Sequence, residues 1–445
     1  MKLRSLFRRR LLRHFSLLSG FQHKVRLRFT RSGMLLLGAA LTCAVLGVNT
    51  RQVLIYQLFA LCVGLLFCAW LWTLRWPWRK ALSEQLQVQR HFPAQASVGH
   101  LAHFHYDIHW RGAHTLHDVR LLEQCHDPRP SPAQYAHAIE PGAERRNWFD
   151  RVIGYYRWAW LVRMNRIADI AEVHLPPLAP GASLSLDHTF IPFARGHLVL
   201  VGVWLAQTDP LGLMRRLYFL ELRSECQVWP APLLQALPAL PQSRRAQADS
   251  SHGLTGDGEE FSGLRDYRAG DSLRMVHWKS FARLGRPVVK EFESEFSTRF
   301  LLVADSVAAP AGVLFEHAIS LAAGAILQFD VERDLLDLLY IEQHCALACA
   351  GPGAMSRQAL LHILSGLRAS RAPLLPMLNA MLMSRAAGYS ACLYIAQSWD
   401  EERRHMLHRL QRQGLSLHVW LVSAQAPSDL PAWVSWRPCE PLEAA

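Results

Sequence analysis

The sequence predicts a multidomain chain: a two-helix transmembrane hairpin, then an antiparallel β-sandwich, then an α/β domain. Three observations predict it. Two uncharged apolar runs stand near the N-terminus, short segments of period-two alternation follow them, and strand-like and helix-like stretches alternate from residue 299 onward.

Charge separates the first element from the rest. Residues 1–80 hold 14 Lys/Arg and no Asp/Glu, which leaves 34 Lys/Arg against 36 Asp/Glu beyond them, so the formal net charge of +12 belongs to the N-terminal end. A basic body would point to nucleic acid. A basic end beside apolar runs points instead to anionic lipid and to membrane orientation, and nucleic-acid binding is set aside. Nine cysteines are scattered without CxxC spacing, which indicates neither a disulfide framework nor a zinc module.

The apolar runs are Gly33 to Val48 and Val53 to Leu74, with Asn49 to Gln52 between them. The second is long enough to cross roughly 30 Å of hydrocarbon at helical rise, and the first is a short span. Residues 32–75 are therefore expected to form two transmembrane helices. A cleaved signal peptide is disfavoured by the long basic leader, 1–31, and by the second apolar run. Ten Lys/Arg precede Gly33, and Arg75, Arg79 and Lys80 follow the second run, so both termini are expected in the cytoplasm. Leu3, Leu6, Phe7, Leu11, Phe15 and Leu18 recur among the leader's arginines at near-helical spacing. Either a surface-lying amphipathic helix or a solvated basic arm accounts for them.

Residues 81–230 read as the sandwich. LQVQRHF, HLAHFHYDIHW, LHDVRLLEQC, SLSLDHTFIPF, HLVLVGVWLAQ and CQVWP alternate apolar and polar residues between Gly and Pro turn signals. A helical insertion near 144–168 interrupts them, with Trp148, Val152, Tyr155, Tyr156, Ala159 and Val162 on one broad face. Packing within the chain, over a sandwich edge, is preferred to docking on the bilayer, because aromatic stripes are commonly core. His103, His105 and His109 share one side of a strand. With no carboxylate or cysteine read at ligand spacing beside them, a solvated face is preferred to a metal site.

Residues 231–252 are rich in Pro, Ala, Gln and Ser and read as a linker before a dense signature segment, 253–298. Gly256 and Gly270 supply turns there. Arg265, Arg274, Lys279, Arg283 and Lys290 alternate with Glu260, Asp271 and Glu293, a pattern that suggests an ion-pair network with Trp278 and Phe281 as apolar anchors. The segment holds no phosphate-loop motif. As candidate acid–base groups of a hydrolase, Glu260, Asp271 and His277 form the alternative reading; neighbouring arginines disfavour it, since they hold carboxylates ionised.

The signature closely resembles the domain of unknown function 58 family of bacterial proteins. The resemblance rests on EF at Glu260 and Phe261, on LRxYxxGD from Leu264 and Arg265 through Tyr267 to Gly270 and Asp271, and on RxxxW from Arg274 to Trp278 and Lys279. It extends to AR at Ala282 and Arg283 and to VKxFE, which includes Lys290, Phe292 and Glu293. Upstream, Arg195 and Gly196 precede a DPxGL motif at Asp209, Pro210, Gly212 and Leu213. The resemblance implies a C-terminal domain, 299–445, similar to von Willebrand factor A modules. It also implies a membrane-anchored, non-enzymatic scaffold or adaptor, with a MoxR-type AAA+ ATPase and a transglutaminase-like membrane protein as partners beside membrane lipid.

In those modules the first strand ends in an Asp-x-Ser-x-Ser run that holds a divalent metal. Here Asp305 stands in place and both later serines are missing, so neither a metal nor another cofactor is expected at that strand end. From the residues alone, the alternation of strands and helices predicts a mostly parallel sheet covered on both faces.

Overall fold

The computed structural model describes residues 2–47, 53–74, 84–138, 140, 142, 145–238, 259–268, 273–294, 299–307, 312–341, 344–369, 375–427 and 429–439; residues 2–10, 137, 259–263, 265, 275 and 290–294 are described by backbone alone. Helix α1, Lys2–Arg28, carries the basic leader, and α2, Arg31–Gly47, and α3, Val53–Thr73, carry the two apolar runs. The leader is helical over Lys2–Arg28, and Phe29 then bridges to Met214. Of the three, only α3 is both long and apolar enough to cross a membrane; α2 is a shorter apolar helix. The two lie side by side, with Ala40, Cys43, Cys62 and Ala69 buried and the Tyr56 hydroxyl donating to the Gly47 carbonyl at 2.6 Å.

Two curled sheets follow. Strands β1 (Leu86–His91), β3 (Ala102–Trp110), β7 (Ser183–Pro192) and β5 (Ala168–Asp169) form an antiparallel sheet in that order. The other sheet runs β2 (Gln95–Ser97), β9 (Arg215–Trp229), β8 (Gly196–Thr208), β4 (Val119–Cys125) and β6 (Val173–His174), antiparallel except for the β2–β9 pair. Their apolar faces share one core, in which Tyr106 and Ile108 from the first sheet meet Leu121, Leu200, Leu205 and Val228 from the second. Between the sheets Arg90 of β1 pairs with Glu123 of β4 at 2.5 Å, and the Tyr106 hydroxyl also donates to Glu123. Both charged side chains are enclosed, so the pair ties the two sheets together at a point where losing either partner would strand a buried charge.

Between β4 and β5 the chain forms α4 (Pro132–His137), α5 (Trp148–Ile153) and α6 (Tyr155–Asn165). A capping box of Ser131 with Gln134, and Pro132 in the first turn, start α4. The insertion breaks into two helices at Gly154, whose φ of 69° lies in the left-handed region. The insertion packs within the chain, as expected, but its buried residues lie against the leader and α4 and not over a sandwich edge. Trp158 and Leu161 of α6 bury against Leu12 of α1 and Tyr135 of α4, and Phe15 meets Tyr155 edge-on at 5.7 Å. The leader covers the aromatic stripe in part, while Trp148, Phe149, Val152, Tyr155 and Tyr156 remain exposed.

The signature segment forms the antiparallel pair β10 (Glu259–Asp266) and β11 (Val288–Ser294), with a 3-10 turn at Leu273–Met275 and helix α7 (Trp278–Leu284) between them. This pair joins neither neighbouring sheet.

A six-stranded sheet completes the fold. Its order is β14 (Cys345–Ala350), β13 (Leu335–Ile341), β12 (Arg299–Ala304), β15 (Ala391–Ala396), β16 (Ser416–Ser423) and β17 (Val434–Pro438). All neighbours are parallel except β13 and β14. Helices α8 (Val313–Gln328) and α9 (Arg357–Gly366) cover one face, and α10 (Leu375–Arg385) and α11 (Glu401–Arg412) the other. Edge strands β14 and β17 add to the elements the sequence suggests. Pairing runs outward from β12 in both directions, which places a topological switch point between β12 and β15.

Candidate functional site

Three places gather the residues singled out by sequence. The first is the DPxGL turn between β8 and β9. Asp209 is 4% exposed, and its Oδ1 accepts hydrogen bonds from the backbone N–H of Leu213 at 2.6 Å and of Met214 at 2.9 Å. The Gly212 N–H donates to the Asp209 carbonyl at 2.9 Å, with Gly212 at a φ of 71° that excludes most side chains. This closed turn sits on the entry to α2. Thr30 donates its N–H to the Leu213 carbonyl at 3.0 Å and its hydroxyl to the Gly212 carbonyl at 2.5 Å, and Thr30 Oγ1 accepts from the Gly33 N–H at 3.0 Å. Gly33 is small of necessity, because a Cβ there would overlap the Leu213 carbonyl. Leu213 and Met214 bury against Ala69, Phe29, Leu36 and Leu65, and Arg216 stacks over Trp72 at 3.9 Å. The motif is thus a joint between the sheets and the apolar helices, a role its sequence gave no sign of.

A second joint forms at Arg195. Its guanidinium pairs with Glu316, in the first turn of α8, at 2.8 Å and donates to the carbonyls of Leu364 at 2.6 Å and Ser365 at 3.1 Å, at the end of α9. An acid at a helix start and a cation at a helix end both agree with the helix dipoles. Gln227 donates to the Ser365 hydroxyl nearby. The Leu233 N–H donates to the Ser320 carbonyl at 3.0 Å, in a close approach that Gly324 permits. The first residues after β9 therefore pack on the C-terminal region, and residues 239–252 of the expected linker lie outside the described residues.

The switch-point crevice is the third place. Asp305 follows β12 and is fully enclosed; its Oδ2 accepts from Arg403 Nε at 2.7 Å and from the Tyr394 hydroxyl at 2.7 Å, and its Oδ1 accepts from the Val307 N–H at 2.9 Å. Arg403 also pairs with Asp400, the N-cap of α11. Neighbouring Asp305 holds the Arg403 guanidinium charged against the cost of its burial, while burial first and Asp305 second hold the Tyr394 phenol protonated well above its ordinary range. A guanidinium occupies the position of positive charge that a divalent ion would fill, so the donor set does not fit a metal centred on Asp305. The sequence signal for this lock is an N-cap aspartate with Arg three residues on, a pattern that also marks an ordinary helix start.

The signature residues are placed unevenly. Gly256, Gly270 and Asp271 lie outside the described residues. Glu260, Phe261 and Arg265 sit on β10, and Lys290, Phe292 and Glu293 on β11, with Glu260 opposite Glu293 and Phe261 opposite Phe292 in the ladder. Leu264, Arg274, Lys279, Ala282 and Arg283 are exposed, and Tyr267 is half-buried. The expected apolar anchors are corrected: Trp278 is 61% exposed and Phe281 is exposed beside it, their rings edge-on at 5.9 Å. A two-stranded pair with a seven-residue helix has too little apolar surface to enclose them, and Val276, Val288 and Val289 are its buried residues among those described. Arg286 pairs there with Asp266 at 3.2 Å, both members exposed, and Arg286 is not among the cations expected of the network. His277 Nδ1 lies 2.7 Å from the Ser280 hydroxyl, across the first turn of α7.

Residues 263–373 match the family described as protein of unknown function DUF58, so the chain carries a DUF58 domain over that span. The match joins most of the signature hairpin to the first half of the six-stranded sheet. No curated protein matches the chain.

Proposed function

We propose that the chain is a membrane-anchored, non-enzymatic scaffold or adaptor that works with a MoxR-type AAA+ ATPase in the assembly or maturation of envelope or enzyme complexes. The observation that carries the reading is the exposed signature hairpin. It presents Leu264, Leu273, Trp278, Phe281 and Leu284 beside Arg274, Lys279 and Arg283, a composition suited to a protein interface. Asp305, by contrast, is locked inside its crevice, and the charges of both joints are spent on positioning.

In this reading α2 and α3 form a hairpin in the bacterial inner membrane with both termini cytoplasmic. Their close packing and the basic flanks support it. The two sheets are a β-sandwich, and the 3-2-1-4-5-6 order of the last sheet, with its antiparallel edge strand, supports a von Willebrand factor A-like module. Membrane lipid is a second partner: the exposed Trp148, Phe149 and Val152 lie on the helix just before α6, which packs on the basic leader, and this suits an anionic interface. A transglutaminase-like membrane protein is the third.

A cytoplasm-specific reporter fused after Ala445 is expected to be active, and periplasmic activity would overturn the topology. Crosslinking in native membranes followed by pull-down is expected to recover an AAA+ ATPase. Recovery of none, with the chain correctly inserted, would overturn the adaptor reading.

A further inference from the structure

The solvent face of the four-stranded sheet carries a cluster that the adaptor reading does not use. His91 on β1 stands directly opposite His105 on β3, and Asp107 follows two residues on, on the same face. The two imidazoles stack with centroids 4.5 Å apart, His91 Nε2 lies 3.1 Å from Asp107 Oδ2, and one donor atom from each of the three residues falls within 4.8 Å of the others. A carboxylate does stand at ligand spacing, which corrects the reading of the strand from sequence. It comes into play only because the β1–β3 register brings His91 across to it.

The geometry points to a surface site for a borderline divalent transition ion, Zn²⁺ being the test case, held by His91, His105 and Asp107. Two imidazole nitrogens and one carboxylate oxygen are a donor set that zinc takes, with bonds of about 2.0–2.2 Å, so donors around the ion would stand about 3.3 Å apart. Closing from the observed separations needs only side-chain rotation, since all three residues are partly or fully exposed. The remaining coordination positions face solvent and are open to water or to a donor from another molecule.

The surroundings supply an independent argument. Along β1, β3 and β7 this face presents Gln87, Gln89, His103, His109, Ser183, Ser185, Asp187 and Thr189 besides the cluster, and neither Lys nor Arg. Two carboxylates, Asp107 and Asp187, with no Lys or Arg beside them on this face of the three strands give it a field that favours a cation. Asp187 stands directly opposite His105 on β7, where a second carboxylate can add its charge or orient the ring. On β3, His109 is engaged with Ser183 of β7 at 2.6 Å and sits outside the cluster, so it serves as the control.

The test is equilibrium dialysis of the full-length protein, in detergent or nanodiscs, against Zn²⁺ buffered by a weak chelator, with bound metal counted by elemental analysis. The wild type is expected to bind one equivalent more tightly than any remaining sites. His91→Gln, His105→Gln and Asp107→Asn should each weaken that equivalent by at least roughly tenfold, because loss of even an outer-sphere partner costs about that much. His109→Gln should leave it unchanged. Exposed positions make these variants safe for folding, which an unchanged melting temperature without metal would establish. Equal affinity in the three variants, equal loss in His109→Gln, or only adventitious, non-saturating uptake would overturn the proposal.

Discussion

The strand-end aspartates and the signature hairpin are both dense in special residue types, yet the chain uses them in opposite ways. Asp209 and Asp305 are enclosed, and every described donor to their carboxylates is a backbone N–H, a guanidinium or a phenol fixed by the fold. Trp278 and Phe281 lie open on a small hairpin that joins neither neighbouring sheet. The difference teaches that a cluster of Gly, Asp, Arg and Trp in sequence does not by itself separate a joint from a docking surface. What separates them is how much apolar structure stands around to bury the cluster.

If that contrast is right, substitutions at the aspartates should damage the fold and those on the hairpin should not. The largest effect is expected from Arg403→Met, which leaves Asp305 charged and unpaired in the interior. Such losses cost about 3–5 kcal/mol, read as a fall in the denaturation midpoint. Asp209→Ala comes next: two buried backbone donors lose their acceptor, a cost of about 2 kcal/mol, and the joint with α2 should loosen so that protease cuts near residue 30 appear sooner. Trp278→Ala should change stability by no more than about 0.5 kcal/mol, as surface substitutions do. A drop as large as that of Asp209→Ala would mean that Trp278 is an apolar anchor, as the sequence pattern suggests, and not an exposed contact.

Much of this fold is legible in the sequence because period-two alternation and the helical spacing from Phe315 to Phe329 depend on local pattern. The apolar stretch Val53–Thr73 is equally plain. Edge strands β14 and β17 escape notice: CALACA carries too many small residues to read as a strand, and VSWRP is short and ends in Pro. The joints are legible only as motifs. Nothing near Asp209 in sequence names Thr30 or Gly33 as its partners, nor does Arg195 name Glu316, because those contacts join residues more than a hundred positions apart. Arg403 illustrates the same limit at the crevice: the missing serines are visible in the sequence, and the guanidinium that pairs with Asp305 is not.

Two smaller effects test the interior. Burial pushes the Cys392 thiol up to about 12, and those of Cys125 and Cys226 to about 11, from an ordinary value of 9.0. The folded protein therefore holds these protons longer than the unfolded chain. Stability they confer is fully present below about pH 9 and is lost as pH rises toward 11 and then 12. Thermal melts from pH 8 to 11 should show the midpoint falling above pH 9, and thiol reagents at pH 8 should reach Cys392 only after unfolding. Millimolar Mg²⁺ should leave the melting temperature of the full-length protein unchanged, because Arg403 already neutralises Asp305; a saturable rise would contradict the lock.

The most direct test of the account is a photo-crosslinking amino acid placed at position 278 in the full-length chain and activated in native membranes. The account predicts a discrete adduct with an AAA+ ATPase, absent when the same probe replaces the enclosed Leu393 of β15. Adducts confined to the chain's own sheets would contradict it, and would return the signature hairpin to the interior of the fold.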